Sequence, residues 1–250
     1  MQLKTQVRAL AFAAAATAAL LAGTAVSAHQ IWIEQDAGGA RLFFGEYGEN
    51  LREVSPGLLD KFGKPIARKA TAQGVGQPAE VTKAAANFSI PFSAAKGESL
   101  IAEDATYPMW DLKGPGQTGR GMYLPAARLV TDLSAQKPLL TLDLVPTGTQ
   151  TAEGATLQAF FEGKPLAKAK VAVVTASGWA QEHHTDAEGK LTVSLPWNGT
   201  YVMELSHNGP AGQRADGQKF EKGSYVTSLT LVRDTGLPAL PAPPAAAPNK

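Results

Sequence analysis

The sequence predicts an all-β protein built as an antiparallel β-sandwich. After residue 28, almost no stretch shows the apolar period of an amphipathic helix. Short runs of β-branched and aromatic residues, bounded by Gly, Pro or Asp, recur along the chain instead. In the second half these runs are about 10–20 residues apart, a spacing that favours antiparallel strands over βαβ units.

The predicted strands begin directly after residue 28. They include His29–Glu34, Arg41–Tyr47, Ala86–Pro91, Leu139–Val145, Ala155–Phe161, Lys170–Ala176, Lys190–Leu195, Thr200–His207 and Ser224–Val232. One short helix is predicted after Ser55, because Ser55 suits the N-cap, Pro56 suits the first helical position and Gly63 ends the pattern.

The first 28 residues indicate an export signal. Met1–Arg8 is basic, Ala9–Val26 is apolar and mostly Ala, and small residues precede the expected cleavage site after Ala28. An uncleaved membrane anchor is less favoured, since Ala transfers weakly into hydrocarbon. We therefore expect a periplasmic mature chain with no membrane span. Cleavage there makes His29 the first residue, with a free α-amine beside its own imidazole.

The remainder of the chain divides at residues 132–138. Residues 29–137 form a loop-rich N-terminal β region, and residues 138–235 have the regular rhythm of a compact β-sandwich domain. Residues 236–250 are rich in Pro and Ala with one charged side chain. Because such a segment cannot bury a core, we expect a disordered tail there.

Composition excludes several classes of function. The chain has 23 Lys and Arg against 22 Asp and Glu, a balance that disfavours a nucleic-acid binder. The absence of Cys excludes disulfides, thiolate metal sites and cysteine catalysis. The G-x-S-x-G motif is absent, and the G-x-G-x-x-G match at residues 114–119 contains a Pro and has no helix signal behind it. We therefore expect a protein that is not an enzyme.

Histidines and carboxylates are the candidate ligands for a transition metal ion. The histidines are His29, His183, His184 and His207. An α-amine has a pKa of about 7.7–8.0, so His29 can chelate a metal through its amine and Nδ1 at low cost. One further imidazole would complete a set of nitrogens suited to Cu(II) or Ni(II). The alternative is that His29 only begins a strand. Glu46 and Glu49 are either carboxylate ligands or solvated loop charges.

The other histidines lie in the second half of the chain. His183 and His184 are adjacent, so in a strand at most one of them can face a shared site. His207 ends a predicted strand, on the face that it shares with Tyr201. Because strand ends and hairpins of one sandwich can converge, a joint site of His29, His184 and His207 is the metal-site hypothesis. Ordinary, partly exposed histidines are the alternative.

Three stretches resemble a known family. The start His29–Glu34, the stretch Phe44–Asp60 and the stretch Ser177–Lys190 are similar to the bacterial periplasmic domain-of-unknown-function family 4198. The last stretch, with Gly163–Leu166 before it and Gly199–Tyr201 after it, also resembles transthyretin-like or Cna-B-like sandwich modules.

This resemblance implies an exported all-β protein. Relatives are associated with nickel or cobalt uptake, similar to the periplasmic part of a nickel-transport M subunit, which implies His29, His184 and His207 as ligands. We therefore expect a soluble accessory protein that binds nickel, cobalt or copper and serves a membrane metal transporter. The alternative is a metal-free interaction module that binds a protein or glycan. A copper polysaccharide monooxygenase and a transthyretin-like hydrolase are the enzymatic alternatives.

Overall fold

The structure is a computed structural model that describes residues 29–114, 116 and 118–249. The predicted export signal at residues 1–28 lies outside the described residues, as do Pro115 and Gln117 of the G-x-G-x-x-G match. The helical elements of the described residues are two 3₁₀ turns, Tyr47–Glu49 and Leu58–Lys61. The strands are β1 (Gln30–Asp36), β2 (Gly39–Glu46), β3 (Leu51–Arg52), β4 (Ile66–Thr71), β5 (Gly74–Val75), β6 (Ala79–Glu80), β7 (Thr82–Lys83), β8 (Phe88–Ile90), β9 (Ser99–Glu103), β10 (Trp110–Asp111), β11 (Arg120–Val130), β12 (Leu142–Gln150), β13 (Gly154–Phe161), β14 (Lys164–Pro165), β15 (Lys170–Thr175), β16 (Ala180–His184), β17 (Lys190–Ser194), β18 (Gly199–Gly209), β19 (Gly212–Gln213), β20 (Lys219–Phe220) and β21 (Lys222–Arg233).

Most of these strands belong to three sheets. The large sheet has ten strands in the order β16-β15-β18-β21-β11-β9-β4-β5, with β10 beside β11 and β6 beside β4. The N-terminal sheet has the order β1-β2-β8-β7 with β3 beside β2, and the C-terminal sheet has the order β12-β13-β14 with β17 beside β13. Pairing between the described strands is antiparallel except between β11 and β21. The predicted antiparallel β-sandwich class is confirmed.

The large sheet is the middle layer, with an apolar core on each face. One core packs it against the C-terminal sheet and includes Leu157 and Met203. The other packs it against the N-terminal sheet and includes Ile33 and Leu129. Because successive side chains of a strand point to opposite faces, the central strand β11 contributes to both cores, with Met122 and Val130 on one face and Ala127 and Leu129 on the other.

A buried ion pair joins the large sheet to the C-terminal sheet. Arg128 on β11 and Asp143 on β12 have fully buried side chains. Arg128 donates from Nε to Oδ1 over 2.9 Å and from Nη2 to Oδ2 over 2.6 Å. Asp143 Oδ2 also accepts the backbone N–H groups of Leu139 and Leu140. These bonds satisfy the buried charge on both sides.

Three details differ from the sequence-based expectations. The large sheet takes β11 from before residue 138 and β18 from after it, so the expected boundary does not separate two sheets. The helix predicted after Ser55 is only the 3₁₀ turn Leu58–Lys61. Residues 237–249, expected to be disordered, are hydrogen-bonded to Asn198, Asn50 and Glu53.

The described residues contain no helix with the length and apolar character needed to cross a bilayer.

Candidate functional site

The N-terminal sheet places His29 between two glutamates. Gln30 pairs with Gly45 in the antiparallel β1–β2 hairpin, so His29 lies across from Glu46 at the end of β2. The chain then turns back into β3, and the backbone N–H of Glu53 bonds to the carbonyl of Phe44 over 2.8 Å. Gly45 is needed for this return, because a Cβ there would collide with the backbone of β3.

Both ring nitrogens of His29 face carboxylate oxygens. Nδ1 lies 3.1 Å from Glu46 Oε1, and Nε2 lies 2.6 Å from Glu53 Oε1. The Glu53 side chain is fully buried, whereas those of His29 and Glu46 are 23% and 14% exposed. The ring of His29 packs edge-on against Phe44, and its carbonyl accepts a hydrogen bond from the Tyr123 hydroxyl over 2.8 Å. His29 is therefore held by its main chain, its ring face and both ring nitrogens.

Further carboxylates lie close enough to Glu46 to interact with its charge. Burial and the neighbouring charge of Glu49 raise the pKa of Glu46 above its ordinary value, which the His29 charge opposes. Burial raises the pKa of Glu204 on β18 to about 7, although its hydrogen bond with the Gln30 amide opposes the rise. The two carboxylates that contact the His29 ring, Glu46 and Glu53, favour a positive charge at this position.

The arrangement fixes how His29 can act chemically. With Nε2–H donated to buried Glu53, the neutral ring keeps its lone pair on Nδ1, which points toward Glu46. A lone pair and a carboxylate 3.1 Å apart repel each other unless a proton or a metal cation lies between them. Histidine ligands of metals commonly donate their second ring N–H to a carboxylate in this way, which fixes the tautomer.

The structure does not bring His184 and His207 to this site. On the large sheet, His184 pairs with Lys170, and the next pair is Val171 with His183. Val171 pairs in turn with Leu205, two residues before His207. His207 therefore shares the face of His183, toward the C-terminal sheet, whereas His184 faces the opposite side.

The surroundings of the two histidines agree with that separation. His207 packs on the ring of Phe161, a residue of β13, at 4.5 Å between ring centroids. The His184 side chain is 60% exposed, and its nearest charged partner is Glu182 at 3.9 Å. His29, His184 and His207 cannot bind one metal ion together, because the large sheet lies between His184 and His207.

A cleft of about 450 Å³ opens beside the His29 cluster. Its walls come from the start of β1, from the 3₁₀ turn Tyr47–Glu49 and from the face of the large sheet that carries His184. Glu46 and Glu204 line it, together with Lys170 and Glu182, which form an ion pair on the opposite wall. The cleft gives solutes access to Glu46 and Glu204.

Glu53 and Asn249 are the site residues that the sequence did not predict. The side-chain amide of Asn249 donates to Glu53 Oε1 over 2.7 Å and lies 3.0 Å from His29 Nε2, and its backbone N–H donates to Glu53 Oε2 over 3.1 Å. These contacts span more than 190 residues of sequence, so no local pattern could reveal them.

Comparisons with known proteins bear on part of the chain. The family described as "Domain of unknown function (DUF4198)" matches residues 126–209. The resemblance predicted from the sequence is thus confirmed over those residues. The matched stretch contains Glu204, His184 and His207 but not His29, Glu46 or Glu53.

Other comparisons add little. No curated protein matches the sequence. One similar solved structure comes from "Structural insight into host cell surface retention of a 1.5-MDa bacterial ice-binding adhesin", with 11% identity and a TM-score of 0.24. The alignment covers 84% of this chain and 65% of that one. A likeness this slight carries no argument about the present protein.

Proposed function

We propose that this protein is an exported, periplasmic binding protein for a divalent transition metal, with His29 as the central ligand. The observation that carries the proposal is the placement of the two His29 ring nitrogens. Nε2 is fixed by buried Glu53, and Nδ1 faces Glu46 at 3.1 Å. In this proposal cleavage after Ala28 frees the α-amine, and the metal ion binds to that amine, to Nδ1 and to a Glu46 oxygen.

The α-amine of His29 supplies the third ligand that the proposed metal site needs. Among the described residues, no group of three or more His, Asp or Glu side chains has the geometry of a metal site. His29 and Glu46 supply two side-chain ligands, so a third has to come from the main chain. Amine and imidazole of one residue form a six-membered chelate ring, which replaces the roles expected for His184 and His207.

Nickel, cobalt and copper remain the candidate metals. Nitrogen-rich sites bind divalent ions in an order that peaks at Cu(II), whereas the family resemblance favours nickel or cobalt. We propose that the ion is cargo, held for a membrane metal transporter. The cleft beside Glu46 supports this role, because it leaves one side of the site open for delivery and release.

A metal titration of the exported protein tests the proposal. The protein is produced with its own signal, its N-terminus is sequenced, and Cu(II), Ni(II) and Co(II) are titrated by calorimetry. We expect a His29 start, binding of one ion per chain and loss of binding in His29→Ala. A variant with one Gly inserted before His29 blocks the chelate ring and should bind at least about tenfold more weakly, whereas the matched control His184→Ala should bind like the wild type.

Two results would overturn the proposal. One is metal binding that survives both His29→Ala and the Gly insertion, and the other is no binding of any of the three ions at micromolar concentration. Either result would make the metal-free interaction module the leading alternative.

A further inference from the structure

The C-terminal segment, defined as residues 237–249, runs back to the His29 cluster. It begins at the β17–β18 turn, where Leu237 exchanges backbone hydrogen bonds with Pro196 and Asn198, both 2.8 Å long. It then meets Asn50, whose side chain donates to the carbonyl of Pro243 over 2.9 Å. Farther on, Ala246 bonds to the Asn50 carbonyl over 3.2 Å. The segment thus has a series of anchors before it reaches the site.

The composition of the C-terminal segment lowers the entropic cost of fixing it in this position. Five of its residues are proline: Pro238, Pro241, Pro243, Pro244 and Pro248. Because proline already has a fixed φ in the unfolded chain, a proline-rich segment loses less conformational entropy when it is fixed. The same composition that prevents a core from forming therefore suits an extended segment held by a few hydrogen bonds.

Asn249 completes the hydrogen bonding of Glu53. The fully buried Glu53 carboxylate accepts from His29 Nε2 at one oxygen, and Asn249 donates to both oxygens. These are the hydrogen bonds of that carboxylate within the described residues. A buried carboxylate with fewer donors is strongly destabilised, so without Asn249 the Glu53 side chain would move toward solvent and release His29 Nε2.

We propose that the C-terminal segment is a clasp for the His29 site and that Asn249 is a positioning residue, which acts through Glu53 on the orientation of the imidazole. This inference rests on the proposed function, because its effect is measured on metal binding. Asn249 does not bind the metal itself. It fixes the carboxylate that fixes Nε2, and it thereby keeps Nδ1 directed toward Glu46.

The test compares metal affinity and metal release in four proteins. These are the wild type, Asn249→Ala, Glu53→Gln and the double variant, each beginning at His29. Loss of an outer hydrogen-bond partner of a metal ligand costs about 10–100-fold in affinity, so we expect Asn249→Ala to bind Cu(II) about tenfold more weakly and to release it faster to a chelator. Because Asn249 acts through Glu53, the double variant should be no weaker than Glu53→Gln.

Controls separate this effect from general destabilisation. Ala247→Ser changes an exposed side chain of the same segment and should leave affinity unchanged. The metal-free Asn249→Ala protein should still unfold in one cooperative transition, at a somewhat lower temperature than the wild type because Glu53 loses a donor. The Cu(II) electron paramagnetic resonance spectrum should shift only in variants that loosen His29. Wild-type binding that Asn249→Ala leaves unaltered, or additive losses in the double variant, would overturn the clasp alone. An absence of wild-type binding would overturn the proposed function beneath it.

Discussion

The buried carboxyl of Glu204 makes the stability of the fold depend on pH. Burial raises its pKa in the folded protein to about 7, from an ordinary value of 4.5 that returns on unfolding. The folded state therefore favours the protonated form. This contribution to stability is fully present below pH 4.5 and is lost as the pH rises through about 7.

The size of the effect follows from the two pKa values. Each pKa unit corresponds to about 1.4 kcal/mol, so the difference between 4.5 and about 7 sets an upper limit of about 3.5 kcal/mol. Solvent that reaches the carboxyl lowers this cost, and we expect about 2 kcal/mol. Glu204→Gln removes the charge but keeps an oxygen that can accept from Gln30. The free energy of unfolding of the variant should therefore be about 2 kcal/mol higher than that of the wild type near pH 8, with almost no difference near pH 4.

Urea unfolding followed by tryptophan fluorescence measures this difference. Wild type and variant are compared at both pH values without metal, so that other titrating groups contribute equally to both proteins. Glu188→Gln, which removes an exposed turn carboxylate, is the matched control and should change nothing at either pH. A difference between Glu204→Gln and wild type that is the same at both pH values would refute the reasoning.

Three further predictions follow from the packing and from the placement of the histidines. Asp143→Ala leaves Arg128 buried without its partner and should lower the free energy of unfolding by about 3–5 kcal/mol; a loss below about 1 kcal/mol in urea titration would contradict the buried pair. Leu157→Ala opens a cavity in the core beside the C-terminal sheet and should cost about 2–5 kcal/mol, and an unchanged melting temperature would contradict that packing. Because neither histidine reaches His29, His184→Ala and His207→Ala should each leave the metal dissociation constant within about twofold of wild type; a tenfold weakening by either would contradict the assigned faces.

The strands that the sequence predicts well have clean alternation and clear turns. The run Lys190–Leu195 was expected and is found as Lys190–Ser194, because its apolar residues alternate and turn residues precede it. The long central strand Arg120–Val130 is not among the predicted strands, and it contains Pro125 and Arg128, residue types that are uncommon in central strands. The folded structure accommodates both residues. Arg128 pairs with Asp143, and Pro125 precedes the residues that pair with β9.

The candidate site was predictable only in part. His29 was predicted from the expected cleavage site, and Glu46 was one of two carboxylates offered as ligands. The sequence also predicted that His207 shares the face of Tyr201, as it does in β18. The sequence could not reveal that His184, two strands away, lies on the opposite face of the large sheet from His207. That outcome depends on the register between β15, β16 and β18, which is set by long-range packing rather than by local pattern.

The place of β21 in the large sheet has a consequence for biogenesis. This last strand lies between β18 and β11 and pairs in parallel with β11 over ten residues, Gly121 to Val130. During synthesis, the two long strands β18 and β11 therefore lack the partner that they share until residue 233 has emerged. Interrupted synthesis would leave both edges open to strands of other molecules, so incomplete chains should aggregate rather than accumulate as smaller folded fragments.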